Sequence, residues 1–128
     1  VTAVVIIEDD VLASTALRQL LEDEGLDVRT YASTDSAYAE CTVRPPDIVI
    51  ADWCVPGGLS THQLVESLHE MNPTLRVIFT SGYDPEELQR KFRSERWMSY
   101  LSKPVSFDRL VEDIKGLQWE QERSQALQ

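Results

Sequence analysis

Four short stretches each end an apolar run on groups able to do chemistry: "VVIIEDD" (4–10), "DIVIADWCVPGG" (47–58), "VIFTSGY" (77–83) and "YLSKP" (100–104). They supply Glu8, Asp9 and Asp10, a further acid at Asp52, hydroxyls at Thr80 and Ser81, and an amine at Lys103. Any one of these means little alone. Brought to one place, they form a chemical set. Crowded carboxylates repel, and some stay protonated unless a cation joins them. Mg²⁺ meets that need, since it takes oxygen ligands and favours one or two carboxylates plus a phosphate. Beside such an ion Asp52 is held ionised, as a nucleophile toward phosphorus. Lys103 then neutralises charge on the transferring group, and a hydroxyl hydrogen-bonds one of its oxygens. Phosphoryl transfer asks mainly for such positioning and neutralisation.

For these groups to meet, the apolar runs must be strands that end along one edge. Short β-branched runs do alternate with longer helical stretches. Strands are predicted over Ala3–Ile7, Asp27–Tyr31, Asp47–Ala51, Leu75–Thr80 and Trp97–Leu101. Helices are predicted over Val11–Glu24, from the Ser33 cap to about Val43, over Ser60–Met71, over Asp84–Arg93, and from the Ser106 cap through Leu117. Gly25 reads as a helix stop. Leu12, Ala16, Leu20 and Leu21 are expected on the inner face of the first helix, and Leu64, Val65 and Leu68 on that of the third. Residues 1–118 form the expected domain, and the polar stretch 119–128 extends the last helix or serves as a linker. Strands and helices in this alternation predict an α/β fold: a doubly wound parallel sheet of five strands, (βα)5, covered on both faces. In such sheets ligands sit beyond the carboxyl ends of the strands.

Composition narrows the class. The chain has 128 residues, enough for one domain, and 42% of them are apolar, enough for a core without staples. Twelve basic against 22 acidic residues give a net charge of −10, which argues against direct binding to nucleic acid or an anionic membrane. Cys41 and Cys54 lack metal-ligand spacing and read as reduced thiols of an intracellular, cytoplasmic protein. No apolar run approaches the roughly 18 residues of a membrane span, and no signal peptide is visible. The chain starts at Val1 rather than Met, which suggests a piece of a longer protein.

In their order and spacing the four stretches resemble a response-regulator receiver domain of two-component signalling, from Val4 to about Leu117. "PGG" and "SGY" resemble receivers attached to hybrid sensor histidine kinases. The resemblance implies a flavodoxin-like sheet of order 2-1-3-4-5. It implies Asp52 as phosphoacceptor, with Mg²⁺ held by Asp9 directly, by Glu8 through water, by Asp52 and by the backbone carbonyl of Cys54. Ser81 takes the place of the switch hydroxyl, with Thr80 as the competing candidate. Lys103 matches the family's lysine, and Tyr100 the aromatic residue that turns inward with the switch. A cis bond before Pro104 is also implied. The implied partners are a histidine kinase or a histidine phosphotransfer domain, and the face of helix four, strand five and helix five serves other partners or a homodimer. A receiver of this kind catalyses its own phosphorylation and dephosphorylation without being a conventional turnover enzyme. Thr61 departs from the family, standing where a glycine is usual, and "SERWMSYL" lacks the common Gly-Ala pair before strand five.

Other readings weigh less. Asp10 reads as the cap of the first helix rather than a ligand. His62 and His69, seven apart, read as solvated surface residues. A passive interaction module of the same fold is one rival. A small aspartyl phosphatase is another, but it wants a second acid two residues after the nucleophile, where this chain has Cys54.

Overall fold

The computed structural model describes residues 2–91 and 95–126. Five parallel strands run β1 (Ala3–Ile7), β2 (Asp27–Tyr31), β3 (Ile48–Asp52), β4 (Arg76–Ser81) and β5 (Met98–Ser102), in sheet order β2-β1-β3-β4-β5. Between and after them come α1 (Val11–Asp23), α2 (Thr34–Val43), α3 (Thr61–Met71), α4 (Pro85–Lys91) and α5 (Phe107–Ala126). This is the flavodoxin-like arrangement expected from the sequence. Residues 92 and 93, predicted as the end of the fourth helix, lie outside the described residues.

Alternation along the strands sorts the core into two layers. Val4 and Ile6 of β1 join Ile48, Ile50 and Ile78 under Leu17 and Leu21 of α1 and Leu110 and Ile114 of α5. Val5 and Ile7 point the other way, with Val49, Val77 and Phe79, against Ala37 and Cys41 of α2 and Leu64, Val65 and Leu68 of α3. In α1 the inner stripe is Ser14, Leu17 and Leu21, whereas Leu12 is 84% exposed, against expectation. The 3.6-residue period accommodates either stripe. Packing of Leu17 and Leu21 on the sheet selects one of them, while Asp10 caps the helix, its carboxylate accepting from the Leu12 and Ala13 amides at 3.0 and 3.2 Å. At its other end Gly25, at φ +86°, lets the amides of Gly25 and Leu26 reach back to Glu22 and Leu21.

The loop between β3 and α3 is clamped to the start of α2. The Thr34 amide donates to the Pro56 carbonyl at 3.0 Å, and the Thr34 hydroxyl to that of Leu59 at 2.7 Å. The Gly58 amide donates to the Asp35 carboxylate at 3.0 Å. Gly57 makes the approach feasible: its φ is +146°, and an added Cβ would lie 1.9 Å from the Thr34 hydroxyl oxygen. At the opposite edge of the sheet, α5 continues past Leu117 as a helix. Gln121 there is 8% exposed, and its amide nitrogen donates to the carbonyls of Asp47 and Thr74 at 2.9 and 3.1 Å. No helix among the described residues is long and apolar enough to cross a membrane.

Candidate functional site

β1, β3 and β5 deliver the charged groups to one edge. β1 ends at Ile7, so Glu8 and Asp9 leave the sheet there, while Asp52 is the last residue of β3 and Lys103 follows the last residue of β5. The Lys103 ammonium lies 2.8 Å from Asp52 Oδ2 and 3.1 Å from Glu8 Oε1. One carboxylate oxygen each from Glu8, Asp9 and Asp52 falls within 4.8 Å of the others. Glu8 is buried, Asp52 half-buried and Asp9 exposed. The remaining Asp52 oxygen, Oδ1, accepts from the Cys54 amide at 3.1 Å. That amide lies in the turn opened by "CVPGG", so the local turn itself fixes one side of the carboxylate.

Burial works to raise Asp52, but the hydrogen bonds from Lys103 and the Cys54 amide outweigh it and hold its carboxyl below the usual range. Glu8 goes the other way. Burial, reinforced by its hydrogen bond with Asp52, raises it against the pull of Lys103. Burial depresses Lys103, and the two carboxylates more than reverse that. The metal-free site therefore keeps Asp52 ionised and gives any shared proton to Glu8. Three convergent carboxylate oxygens make a hard-donor set suited to Mg²⁺.

The other candidates fall around this cluster. Asp10 is the α1 cap and also points its amide at Glu8 Oε2, 3.4 Å away. Thr80 and Ser81 are both buried at the end of β4. Thr80 lines, with Glu8 and Lys103, a groove of about 540 Å³ whose apolar wall includes Ala13, Val105 and Phe107. The Ser81 hydroxyl oxygen accepts from the Tyr83 amide at 3.0 Å, and the Ser81 carbonyl accepts from the Lys103 amide at 2.7 Å. The Lys103–Pro104 bond is cis.

Tyr100 is already turned inward, 7% exposed, with its ring centroid 5.3 Å from Phe79 and 6.1 Å from Trp53. Its hydroxyl is buried and has no hydrogen-bond partner among the described residues. His62 also departs from expectation. Its side chain is 24% exposed and joins the same group, 6.1 Å from Trp53 and 6.3 Å from Phe79. His69 stacks on Trp97 with centroids 4.0 Å apart, so neither histidine is simply solvated. Both lie where α3 faces the β4–β5 side of the sheet, which a helical wheel leaves undetermined.

Thr61, which the sequence marks only as a departure, is 2% exposed and donates its hydroxyl to the Asp52 main-chain carbonyl at 3.1 Å. Its polarity in an apolar helix face, nine residues after Asp52, is the signal that was there to find.

Known proteins share this frame. The chain is 28% identical over 109 residues to the nitrogen assimilation regulatory protein NtrX of Azorhizobium caulinodans, a match covering 84% of this chain and 24% of that protein. It is 29% identical over 116 residues to the phosphate regulon transcriptional regulatory protein PhoB of Rhizobium meliloti, covering 89% and 51%. The chain thus spans about half or less of these relatives. A CheY-like response regulator receiver domain protein from Methanospirillum hungatei superposes with a TM-score of 0.82 at 24% identity, over 97% of this chain and 98% of that one. The family model described as "Response regulator receiver domain" matches residues 4–115, and with nearly the whole fold inside that match the chain belongs to this family.

Proposed function

We propose that Asp52 accepts a phosphoryl group from a histidine kinase or a histidine phosphotransfer domain. The observation that carries this is the Lys103 ammonium set between Asp52 and Glu8, with Asp9 beside them. Glu8, Asp9 and Asp52 would hold Mg²⁺, joined by the backbone carbonyl of Cys54. Bound there, the ion supplies charge neutralisation for the phosphoryl oxygens. An Asp52 oxygen bonds to phosphorus as the P–N bond of phosphohistidine breaks. The imidazole leaves with the electron pair and is protonated from solvent. Water later attacks phosphorus, the bond from Asp52 oxygen to phosphorus breaks, inorganic phosphate leaves and the carboxylate is restored, so the domain switches without being a conventional turnover enzyme.

Lys103 follows the new charge from carboxylate to phosphoryl oxygen. Ser81 is the switch hydroxyl: its oxygen accepts from the Tyr83 amide, which leaves its O–H to donate to the phosphoryl group. Phosphorylation then favours the buried arrangement of Tyr100 over outward alternatives. The affected surface is the α4–β5–α5 face, where a concavity of about 460 Å³ is lined by Glu86, Gln89, Tyr100, Ser106 and Arg109. A further partner or a second copy of the domain binds there. The apolar groove beside Lys103 receives the helix that presents phosphohistidine.

We place the reaction in the cytoplasm, consistent with the free Cys41 and Cys54 thiols, and the net charge of −10 argues against direct contact with nucleic acid or membrane. Residues 1–118 are the signalling unit in this reading, with the polar stretch 119–128 as a helix extension or linker; its described part, through Ala126, is helical. Acetyl phosphate with Mg²⁺ tests the central step. The intact mass should rise by one phosphoryl group, ~80 Da, and Asp52→Asn should abolish the gain. A wild-type protein that takes up no phosphoryl group at any Mg²⁺ concentration removes this function.

A further inference from the structure

Asp52 stands where the sheet loosens. The pairing of β3 with β1 stops at Ala51 opposite Ile7, one residue short of Asp52. On the other side β3 stays bonded to β4, through the Trp53 amide and the Thr80 carbonyl at 2.9 Å. Thr61 takes hold on the loosened residue, its hydroxyl donating to the Asp52 carbonyl from the first turn of α3. That turn is itself fixed. The Ser60 hydroxyl accepts from the Gln63 amide at 3.1 Å, and the Gln63 side chain accepts from the Ser60 amide at 3.0 Å. Thr61 is 2% exposed, so water does not compete for its hydroxyl.

The Asp52 carboxylate is held separately by the Cys54 amide and the Lys103 ammonium. Its main chain and its side chain thus have independent anchors, and the line of attack on phosphorus depends on both. We propose that Thr61 is a positioning residue for phosphoryl transfer at Asp52, its hydroxyl pinning the end of β3 to α3; this rests on Asp52 being the phosphoacceptor. Thr61 touches no reacting atom and exchanges no proton. With acetyl phosphate, an Asp52 oxygen bonds to phosphorus while the P–O bond to the acetyl group breaks and acetate leaves with the electron pair. A glycine at position 61 offers no donor for this anchor.

The experiment compares Thr61→Val, Thr61→Ser and Thr61→Gly with wild type in three measurements: melting temperature, the acetyl phosphate rate constant at saturating Mg²⁺ by intact mass, and the NMR shift of the metal-free Cys54 amide proton. Valine keeps the shape and removes the donor. It should slow phosphorylation about ten- to a hundredfold, with the Cys54 amide moving toward a weaker hydrogen bond. Serine should stay within about twofold of wild type on rate, with the wild-type amide shift. Should Thr61→Val fail to fold, Thr61→Gly against Thr61→Ser makes the same contrast. A lowered melting temperature with an unchanged rate and an unchanged Cys54 amide overturns the proposal and leaves Thr61 a purely structural residue. If wild type takes up no phosphoryl group, the phosphoacceptor reading of Asp52 fails on its own. The Cys54 amide then still decides whether Thr61 positions the carboxylate.

Discussion

Tyr100→Phe is expected to stabilise the domain, although it trims the residue proposed to turn inward with the switch. The Tyr100 ring is 7% exposed and packed on Phe79 and Trp53, contacts that phenylalanine retains. Its hydroxyl is buried with no hydrogen-bond partner among the described residues. In the unfolded chain that hydroxyl is fully hydrated. Leaving such a group unpaired on burial costs about 1–3 kcal/mol. The low end of that range, about 1 kcal/mol, is the minimum expected. For 128 residues that corresponds to a rise in Tm of about 3–5 °C. The effect should depend on pH. Burial raises the Tyr100 phenol above its ordinary value of 10.0. Above that pH the unfolded chain has lost a proton that the folded state keeps, so wild-type stability falls as pH rises. The phenylalanine variant escapes this loss, and its advantage should widen above pH ~10. Urea and thermal denaturation of both proteins, near neutral pH and again at alkaline pH, measure the effect. A variant less stable than wild type by about 1 kcal/mol or more would mean that the hydroxyl is satisfied in solution, and the inference from its burial would be wrong.

Gly57→Ala should destabilise by at least about 2 kcal/mol in urea titrations, because its Cβ meets the Thr34 side chain at a φ that side chains avoid; a change under about 0.5 kcal/mol would show that the loop is not clamped to α2. Burial, the largest influence on Cys41, pushes its thiol up to about 11, whereas Cys54 is exposed. A disulfide reagent near pH 8 should therefore label Cys54 quickly and Cys41 only after denaturation, and equal labelling of both in the native protein counts against the packing of α2. Mg²⁺ affinity, read from Trp53 fluorescence, should weaken as pH falls, since Glu8 is held above 4.5 by burial and then by Asp52, and the ion must displace its proton. Glu8→Gln should flatten that dependence, and an affinity equal at about pH 5 and about pH 8 in wild type goes against it.

The alternation of apolar runs and helical stretches, and the polar groups closing each run, were open to reading because they are local. A strand buried on both faces needs consecutive apolar residues, as Val4–Ile7 and Ile48–Ala51 show, and it must end where the carboxylates of Glu8 or Asp52 can find polar partners. Sheet order came from the resemblance to the receiver family rather than from the local pattern, and parallel strands in that order bring Glu8, Asp9, Asp52 and Lys103 to one edge. The caps at Asp10 and Ser33 were equally local, since each bonds amides two or three residues on; Ser60, read as the first helical residue, is a cap as well.

What escaped the one-dimensional pattern depends on neighbours distant in the chain. Leu12 lies outside because Leu17 and Leu21 are the residues that pack on the sheet, and several stripes satisfy the same period. His62 and His69 sit among rings because α3 lies against residues brought by β3, β4 and β5. The Tyr100 hydroxyl lacks a partner among the described residues, and the Thr61 hydroxyl finds one in Asp52, for the same reason: hydrogen-bond satisfaction inside a core is settled by three-dimensional proximity. Spacing along the chain could bring the acids of this site to one edge, but only the packed elements determine which atoms hold Asp52 in place.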